Sequence, residues 1–236
     1  MTTKIALLLP TRHRPSSMER LCHSVFETCN YDPNVKICFY IDDDDGASIQ
    51  QAEKLKGFYK YDIDWLVGSR IIMSDMTNYL YEIAESDIVM FAGDDLIFKT
   101  NEWQNIVRDT FDKYDDKIVL VGGHDGYNND IITHGFLHKN WVDCVGYVVP
   151  WSYTGDYADA HVFDLAKKVG RWERINIETE HIHWCNGKAP MDNVYQEKLS
   201  RCYGGPIPAQ IMYKNGEQDR VRDAQKLRGI MSNDTQ

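Results

Sequence analysis

The chain lacks any apolar stretch near the roughly 18–20 residues a bilayer span needs. Its opening, MTTKIALLLPTRHRP, has too short an apolar part, and no small-residue cleavage site, to read as a secretory leader. A cytoplasmic protein with no membrane span is expected. The six cysteines, at 22, 29, 38, 144, 185 and 202, form no CxxC pair. Most lie in apolar or helical stretches, which suits reduced, buried thiols rather than a disulfide framework or a zinc knuckle. Basic charge is short: 26 Lys and Arg against 36 Asp and Glu, a net charge of -10. That argues against nucleic acid as the main partner. Acidic clusters can still hold a polyphosphate when a divalent cation stands between them. There is no internal repeat and no low-complexity linker. What remains is 236 residues with 43% hydrophobic content, enough to bury one full core.

The apolar runs alternate with helical patterns. KIALLL (4–9) is a continuous apolar run suited to a buried parallel strand, closed by Pro10. Ser16 and Glu19 then have capping-box spacing, and Met18, Leu21, Cys22, Val25, Phe26 and Cys29 share one helical face. A second strand, VKICFYI (35–41), precedes a polar helix near 48–56, a short strand near 63–67 and a helix at about 75–85, with Asp75 as its N-cap. The strand DIVMFA (87–92), a helix over NEWQNIVRDTFDKY and the strand KIVLVGG (117–123) follow. These repeated βα units predict a Rossmann-like, mostly parallel sheet flanked by helices. The domain spans 1–213, with a nucleotide half at about 1–123 and an acceptor half at 124–213. The tail, 214–236, is expected to be a surface helix over the cleft or a frayed end, with disorder at SNDTQ.

Acids gather where strands end. Asp42, Asp43, Asp44 and Asp45 follow the second strand; Asp94 and Asp95 follow DIVMFAG and are boxed in by LIF. In open α/β sheets ligands bind outside the carboxyl ends of strands, so both clusters are expected to face one cleft. Asp44 and Asp45 read as a solvated turn, Asp42 and Asp43 as contacts to a ribose or base. Asp94 and Asp95 cannot turn to bulk water, and two unpaired like charges would force one to protonate, so a metal ion is the expected partner.

Five stretches in this order, LLLPTRHRP, the aspartates after 41, SDMTNYLYEIAESDIVMFAGDD, DYADAHVFDLAKKVGR and EHIHWCNGKAPMDNVY, resemble a glycosyltransferase with the A-type fold, similar to family 2. The resemblance covers roughly residues 4–199. It implies Mn²⁺ or Mg²⁺ on the diphosphate of a sugar nucleotide, a UDP-sugar favoured and a GDP-sugar possible. Gly93 stands where a first aspartate is common, which leaves Asp95 as metal ligand and Asp94 near the ribose or a metal-bound water. By position, Pro10, Thr11, Arg12 and Arg14 form the loop under the nucleotide, although the two arginines equally suit surface cations. Arg70 and Asn78 match residues near the diphosphate and ribose; for Asn78 a cap or surface place is the plainer reading.

The acceptor half holds His134, His138, Trp141, Tyr147, Trp151 and Tyr153 in one stretch. Flat amphipathic rings cover sugar faces, and Trp151 and Tyr153, after Pro150, suit that part, while Trp141 and Tyr147 equally suit the core. Asp156 and Asp159 sit one helical turn apart at a helix start, where family 2 enzymes place a catalytic aspartate; capping and dipole stabilisation account for such acids as well. Asp159 is the expected general base. RINIETEHIHW alternates as a strand, with Ile175, Ile177, Thr179, His181 and His183 on one face. A histidine after the acceptor helix completes the metal shell in similar enzymes, and His183, nearer the loop, precedes His181 as the choice. Lys188 is placed to meet phosphate. The reading is a metal-dependent, inverting transfer of a sugar to a glycan or other hydroxyl acceptor. Its competitors are a nucleotidyltransferase, disfavoured because no glycine-rich basic loop follows the first strand, and a non-catalytic nucleotide-sugar-binding module.

Overall fold

The computed structural model describes residues 2–151, 153–205 and 207–231. Its first half runs β1 (Ile5–Thr11), α1 (Pro15–Thr28), β2 (Val35–Asp42), α2 (Gly46–Gly57), β3 (Ile63–Gly68), α3 (Met73–Ala84), β4 (Ile88–Phe91), β5 (Leu96–Phe98) and α4 (Trp103–Asp112). The second half adds β6 (Leu120–His124), β7 (Gly135–His138), α5 (Lys139–Val145), α6 (Ala158–Val169), β8 (Trp172–His181), a 3₁₀ turn (Trp184–Asn186), α7 (Asn193–Tyr203), α8 (Ala209–Asn215) and α9 (Glu217–Ile230).

One sheet, in the order β3-β2-β1-β4-β7-β6-β8-β5, divides the core in two. The strands read as continuous apolar runs because both faces are covered. Ile5, Leu7 and Leu9 of β1 pack with α1, α2 and α4, whereas Ala6 and Leu8 pack in the layer that holds α3, α5, α6 and α9. β2 and β4 divide in the same way. β1 pairs parallel to β2 and β4, β2 to β3, and β6 to β8. β7 lies antiparallel between β4 and β6, and β5 antiparallel to β8. β4, β6 and β8 therefore run the same way as β1, and all these strands end along one edge of the sheet.

Several local expectations differ from the structure. β1 passes through Pro10 to Thr11, pairing Pro10 with Tyr40 and Thr11 with Ile41, since a proline removes only one ladder donor. Helix α1 begins at Pro15 behind Arg14, with no side-chain cap. A proline at the first helical position needs none, and Glu19 pairs instead with Lys54 at 2.8 Å. Asp75 lies inside the first turn of α3, whose N-cap is Ile72; there its carboxylate faces the positive end of the helix dipole. The tail neither frays nor covers the cleft as far as it is described. α9 packs on α6 and α5, burying Arg220 and Asp223. Arg220 donates to Asp164 at 2.8 Å, Glu217 at 2.9 Å and the Tyr213 carbonyl at 2.8 Å; Asp223 accepts from the Tyr147 hydroxyl at 2.7 Å. SNDTQ lies outside the described residues.

Candidate active site

The shared strand edge opens into a cleft of about 640 Å³ lined by Pro10, Thr11, Arg12, Arg14, Asp42, Arg70, Asp94, Asp95, Asp156, Asp159, His181 and His183. Most residues singled out in the sequence thus meet in one place, because each follows the end of a co-directional strand or begins the helix behind one. α7 borders the cleft through Tyr195 and Lys198.

Arg12 bonds Asp42 at 2.7 Å and forks onto Asp44, with its Nη2 2.9 Å from Oδ2. Asp44 is thus an ion-pair partner as well as a turn residue. Asp42 is fully buried, and its Oδ1 has no hydrogen-bond donor among the described residues. Burial pushes Asp42 up, against the pull of Arg12 and Arg70. Arg70 also bonds Glu197 of α7.

The two central carboxylates occupy different environments. Asp94 accepts from the Thr11 hydroxyl at 2.6 Å and from Arg14 at 3.3 Å. Arg14 is held by Asp192 at 3.0 and 3.1 Å and stacks 3.9 Å from the Tyr195 ring centroid. Burial, reinforced by the adjacent Asp95 charge, pushes Asp94 above the usual carboxylate range despite Arg14 and Thr11. Asp95 moves the other way: burial opposes ionisation, but His181, with His134 and His183 nearby, holds it well below that range. Its Oδ2 lies 3.3 Å from His181 Nε2 and accepts from the Tyr195 hydroxyl at 3.1 Å. β5 pairs with β8, Leu96 opposite His181, and the Ile182 amide donates to the Asp95 carbonyl at 2.7 Å. Backbone pairing thereby fixes the Asp95–His181 approach.

Asp95, His181 and His183 each offer a ligand atom within 4.8 Å of the others. His183 Nδ1 accepts from the Cys185 amide at 3.2 Å, which leaves Nε2 for a ligand. Burial lowers its pKa to about 4, so the ring is neutral at pH 7. An ionised carboxylate and a neutral imidazole are the forms that coordinate Mn²⁺ or Mg²⁺, and the residues fit such an ion. Gly93 has a spatial reason: a Cβ there would stand 2.5 Å from Asp95 Oδ1. A second aspartate at 93 would push on the carboxylate it was meant to assist.

Asp156 is bound by Lys198 at 2.7 Å and by the Tyr203 hydroxyl at 2.6 Å. Burial pushes it up, and those two partners bring it below its ordinary value. Asp159, one turn on, has one oxygen on the Ala160 amide at 2.8 Å. Burial raises its pKa to about 6.

Asp43, Asn78, Trp151, Lys188 and Tyr153, singled out from sequence, lie outside the cleft lining. Asp43 is exposed beside the strand end, since the carboxylate next to it is the one that turns inward. Asn78 is spent on the backbone, with its Nδ2 on the Val149 carbonyl at 2.8 Å and its Oδ1 on the Val148 and Val149 amides at 2.9 and 3.3 Å. Trp151 donates to the Gly146 carbonyl at 3.3 Å, meets Tyr79 edge-on and lines a separate groove. Lys188 pairs with Glu180 at 2.8 Å. Tyr153, also expected at the substrate, is buried in the core beside His161. Asp125, Tyr195 and Lys198 carried no site role in the sequence. Asp192 caps α7 and also holds Arg14.

No protein-family model and no curated protein sequence matches the chain. Its architecture is nonetheless the glycosyltransferase A-type fold: an α/β domain with a mostly parallel sheet, shared with solved glycosyltransferases. Residues 1–349 of S. aureus TarS in complex with UDP match with 12% identity and a TM-score of 0.60, over 75% of this chain and 60% of that one. The chain thus spans less than two thirds of that protein's length. The same TarS region with UDP-GlcNAc matches at 12% identity and a TM-score of 0.60, covering 96% of this chain and 71% of the other. The mannosyltransferase PcManGT from Pyrobaculum calidifontis, in complex with GDP-Man and Mn²⁺, matches at 10% identity with a TM-score of 0.63, over 98% of this chain and 74% of that one. At these identities the likeness defines the fold.

Proposed function

We propose that the protein is a metal-dependent, inverting glycosyltransferase that moves a sugar from a nucleoside-diphosphate sugar to an acceptor hydroxyl. One observation supports this reading: a single cleft is lined by Asp42, whose buried Oδ1 has no hydrogen-bond partner among the described residues, by the Asp95–His183 pair and by the half-buried Asp159. Residues 1–123 serve the nucleotide and 124–213 the acceptor. Asp42 Oδ1 accepts from a base N–H or a ribose hydroxyl, beside Pro10 and Thr11. Arg12, Arg14 and Arg70 add positive charge near the phosphates. Asp95 and His183 would hold Mn²⁺ or Mg²⁺, which supplies positive charge against the departing diphosphate. Asp94, with Thr11 and Arg14, orients the ribose side of the donor.

Asp159 takes the proton from the acceptor hydroxyl. The acceptor oxygen bonds to the anomeric carbon as the bond from that carbon to the diphosphate oxygen breaks, and attack from the opposite face inverts the centre. A base with pKa about 6 is ionised at neutral pH and still basic enough for the transfer. Asp156, occupied by Lys198 and Tyr203, positions the helix start and the acceptor. A UDP-sugar is the favoured donor, in keeping with the TarS complexes, and a GDP-sugar the second; a glycan hydroxyl is the acceptor class. Calorimetry with UDP, GDP and CDP and their sugar conjugates, with and without Mn²⁺, tests the reading. Binding that requires Mn²⁺, and turnover to free diphosphate lost in Asp159→Asn with binding retained, are expected. Ion-independent binding, or no binding by any of these nucleotides, overturns it.

A further inference from the structure

Behind the cleft, three buried polar atoms have no hydrogen-bond partner among the described residues: Asp125 Oδ2, His134 Nδ1 and His181 Nδ1. They come from the ends of β6 and β8 and the start of β7, at the same sheet edge. Asp125 Oδ2 lies 3.8 Å from His181 Nδ1 and 3.9 Å from His134 Nδ1. These separations are too long for hydrogen bonds. They approach the roughly 3.4–3.8 Å between two ligand atoms that share an ion at about 2.1 Å. Asp125 is 7% exposed and His181 6%, so bulk water does not serve these groups.

The carboxylate cannot turn away. Asp125 Oδ1 accepts from the Tyr127 and Asn128 amides, both at 2.9 Å, which aims Oδ2 at the two rings. Burial opposes the Asp125 charge, yet those amides hold its pKa below the ordinary value; burial lowers His134 to about 4. An anion and a neutral imidazole are both electron-pair donors. His181 adds a further constraint. With its proton on Nε2, 3.3 Å from Asp95 Oδ2, the Nδ1 lone pair faces Asp125. With the proton on Nδ1, the Nε2 lone pair faces Asp95 instead. Either neutral tautomer points a lone pair at a carboxylate, an arrangement that a cation between them relieves.

We propose that Asp125, His134 and His181 form a second, inner divalent-cation site, with a donor set of two imidazoles and one carboxylate suited to Zn²⁺ or a similar transition ion. His181 then serves the inner ion through Nδ1 and donates its Nε2–H to Asp95, which with His183 holds the outer, nucleotide-linked ion. The inner ion is buried and binds without nucleotide. Only the assignment of the outer ion rests on the glycosyltransferase reading.

The test uses the full chain without an affinity tag, stripped by chelator and titrated with Zn²⁺ in the absence of nucleotide. Bound ion is counted by elemental analysis after gel filtration. One ion per chain is expected in the wild type and in His183→Ala, and none in Asp125→Asn or His134→Ala. Circular dichroism checks that each variant folds. Should His134→Ala fail to fold, His134→Gln is read by the same count and by loss of the Zn²⁺-induced rise in melting temperature. A stripped wild type that takes up no Zn²⁺ overturns the proposal, since water then fills the gap. Retention of the ion in both Asp125→Asn and His134→Ala, or its loss in His183→Ala alone, overturns it as well. An inner ion in a protein that turns over no sugar nucleotide leaves this inference standing while the proposed function fails.

Discussion

Replacing Asp159 by Asn separates what the acid does for chemistry from what it costs the fold. Burial raises its pKa from 3.8 to about 6, so the folded protein holds a proton there that the unfolded chain releases earlier. Between those two values stability falls as pH rises, and at pH well above 6 the ionised side chain costs roughly 3 kcal/mol at most. Asn carries no such charge. At pH 8 the variant should melt several degrees higher than the wild type, at about 2–4 °C per kcal/mol for a chain of this size. Below pH 4, where both proteins are uncharged at this site, the gain should vanish. Activity moves in the opposite direction. Loss of a general base removes on the order of 10²–10⁴ in rate, and the wild-type rate should follow the ionised fraction: about nine-tenths at pH 7 and about a tenth at pH 5. The assay is release of nucleoside diphosphate from the donor between pH 4.5 and 8.5, beside calorimetric melting of both proteins over the same range. A rate level down to pH 4.5, or an Asn variant retaining more than a tenth of wild-type turnover, would refute the assignment of the base.

Gly93→Asp restores the acidic spacing common in similar enzymes, yet crowding of Asp95 Oδ1 should weaken Mn²⁺-dependent nucleotide binding about tenfold; calorimetry that finds it tighter contradicts the account of Gly93. Asn78→Ala leaves the Val148 and Val149 amides and the Val149 carbonyl without their side-chain partner and should cost about 2–4 kcal/mol in urea unfolding, with nucleotide Kd unchanged in the folded protein. Arg220→Ala removes the bonds that tie α9 to Asp164 and to the Tyr213 carbonyl, while Lys167 and Lys168 still face Asp164, and should cost about 1.5–3 kcal/mol by the same measurement. Trp151→Ala should leave nucleotide Kd within about twofold, because its ring lines a different groove.

The sequence revealed the sheet best where both faces are covered. KIALLL, VKICFYI and DIVMFA are unbroken apolar runs because neighbouring residues of each strand enter opposite core layers, and the acids at their ends share a cleft because the strands point the same way. The alternation of RINIETEHIHW likewise marked β8, which ends at His181; His183 lies just beyond the strand, its ring 5.0 Å from that of His181. β5 was missed because three residues carry no period, and the start of α1 was misjudged because proline, not a hydroxyl, begins it. Exposure misled at Trp151, whose indole is already satisfied by the Gly146 carbonyl, and at Lys188, already paired with Glu180. Asp125 was invisible for a different reason. GHDGYNND reads as a plain turn, and its carboxylate gains meaning only because β6 lies beside β8 in the sheet, a neighbour relation that no local pattern encodes.

The short ladder between β5 and β8 makes the position of the histidines a matter of parity. A shift by one residue would set Ile182 or Glu180, in place of His181, opposite Leu96 and turn the His181 imidazole to the opposite side of the sheet. There is no intermediate setting: β6, β7, α5 and α6 separate the two strands along the chain, and the pairing that joins them again admits only whole steps.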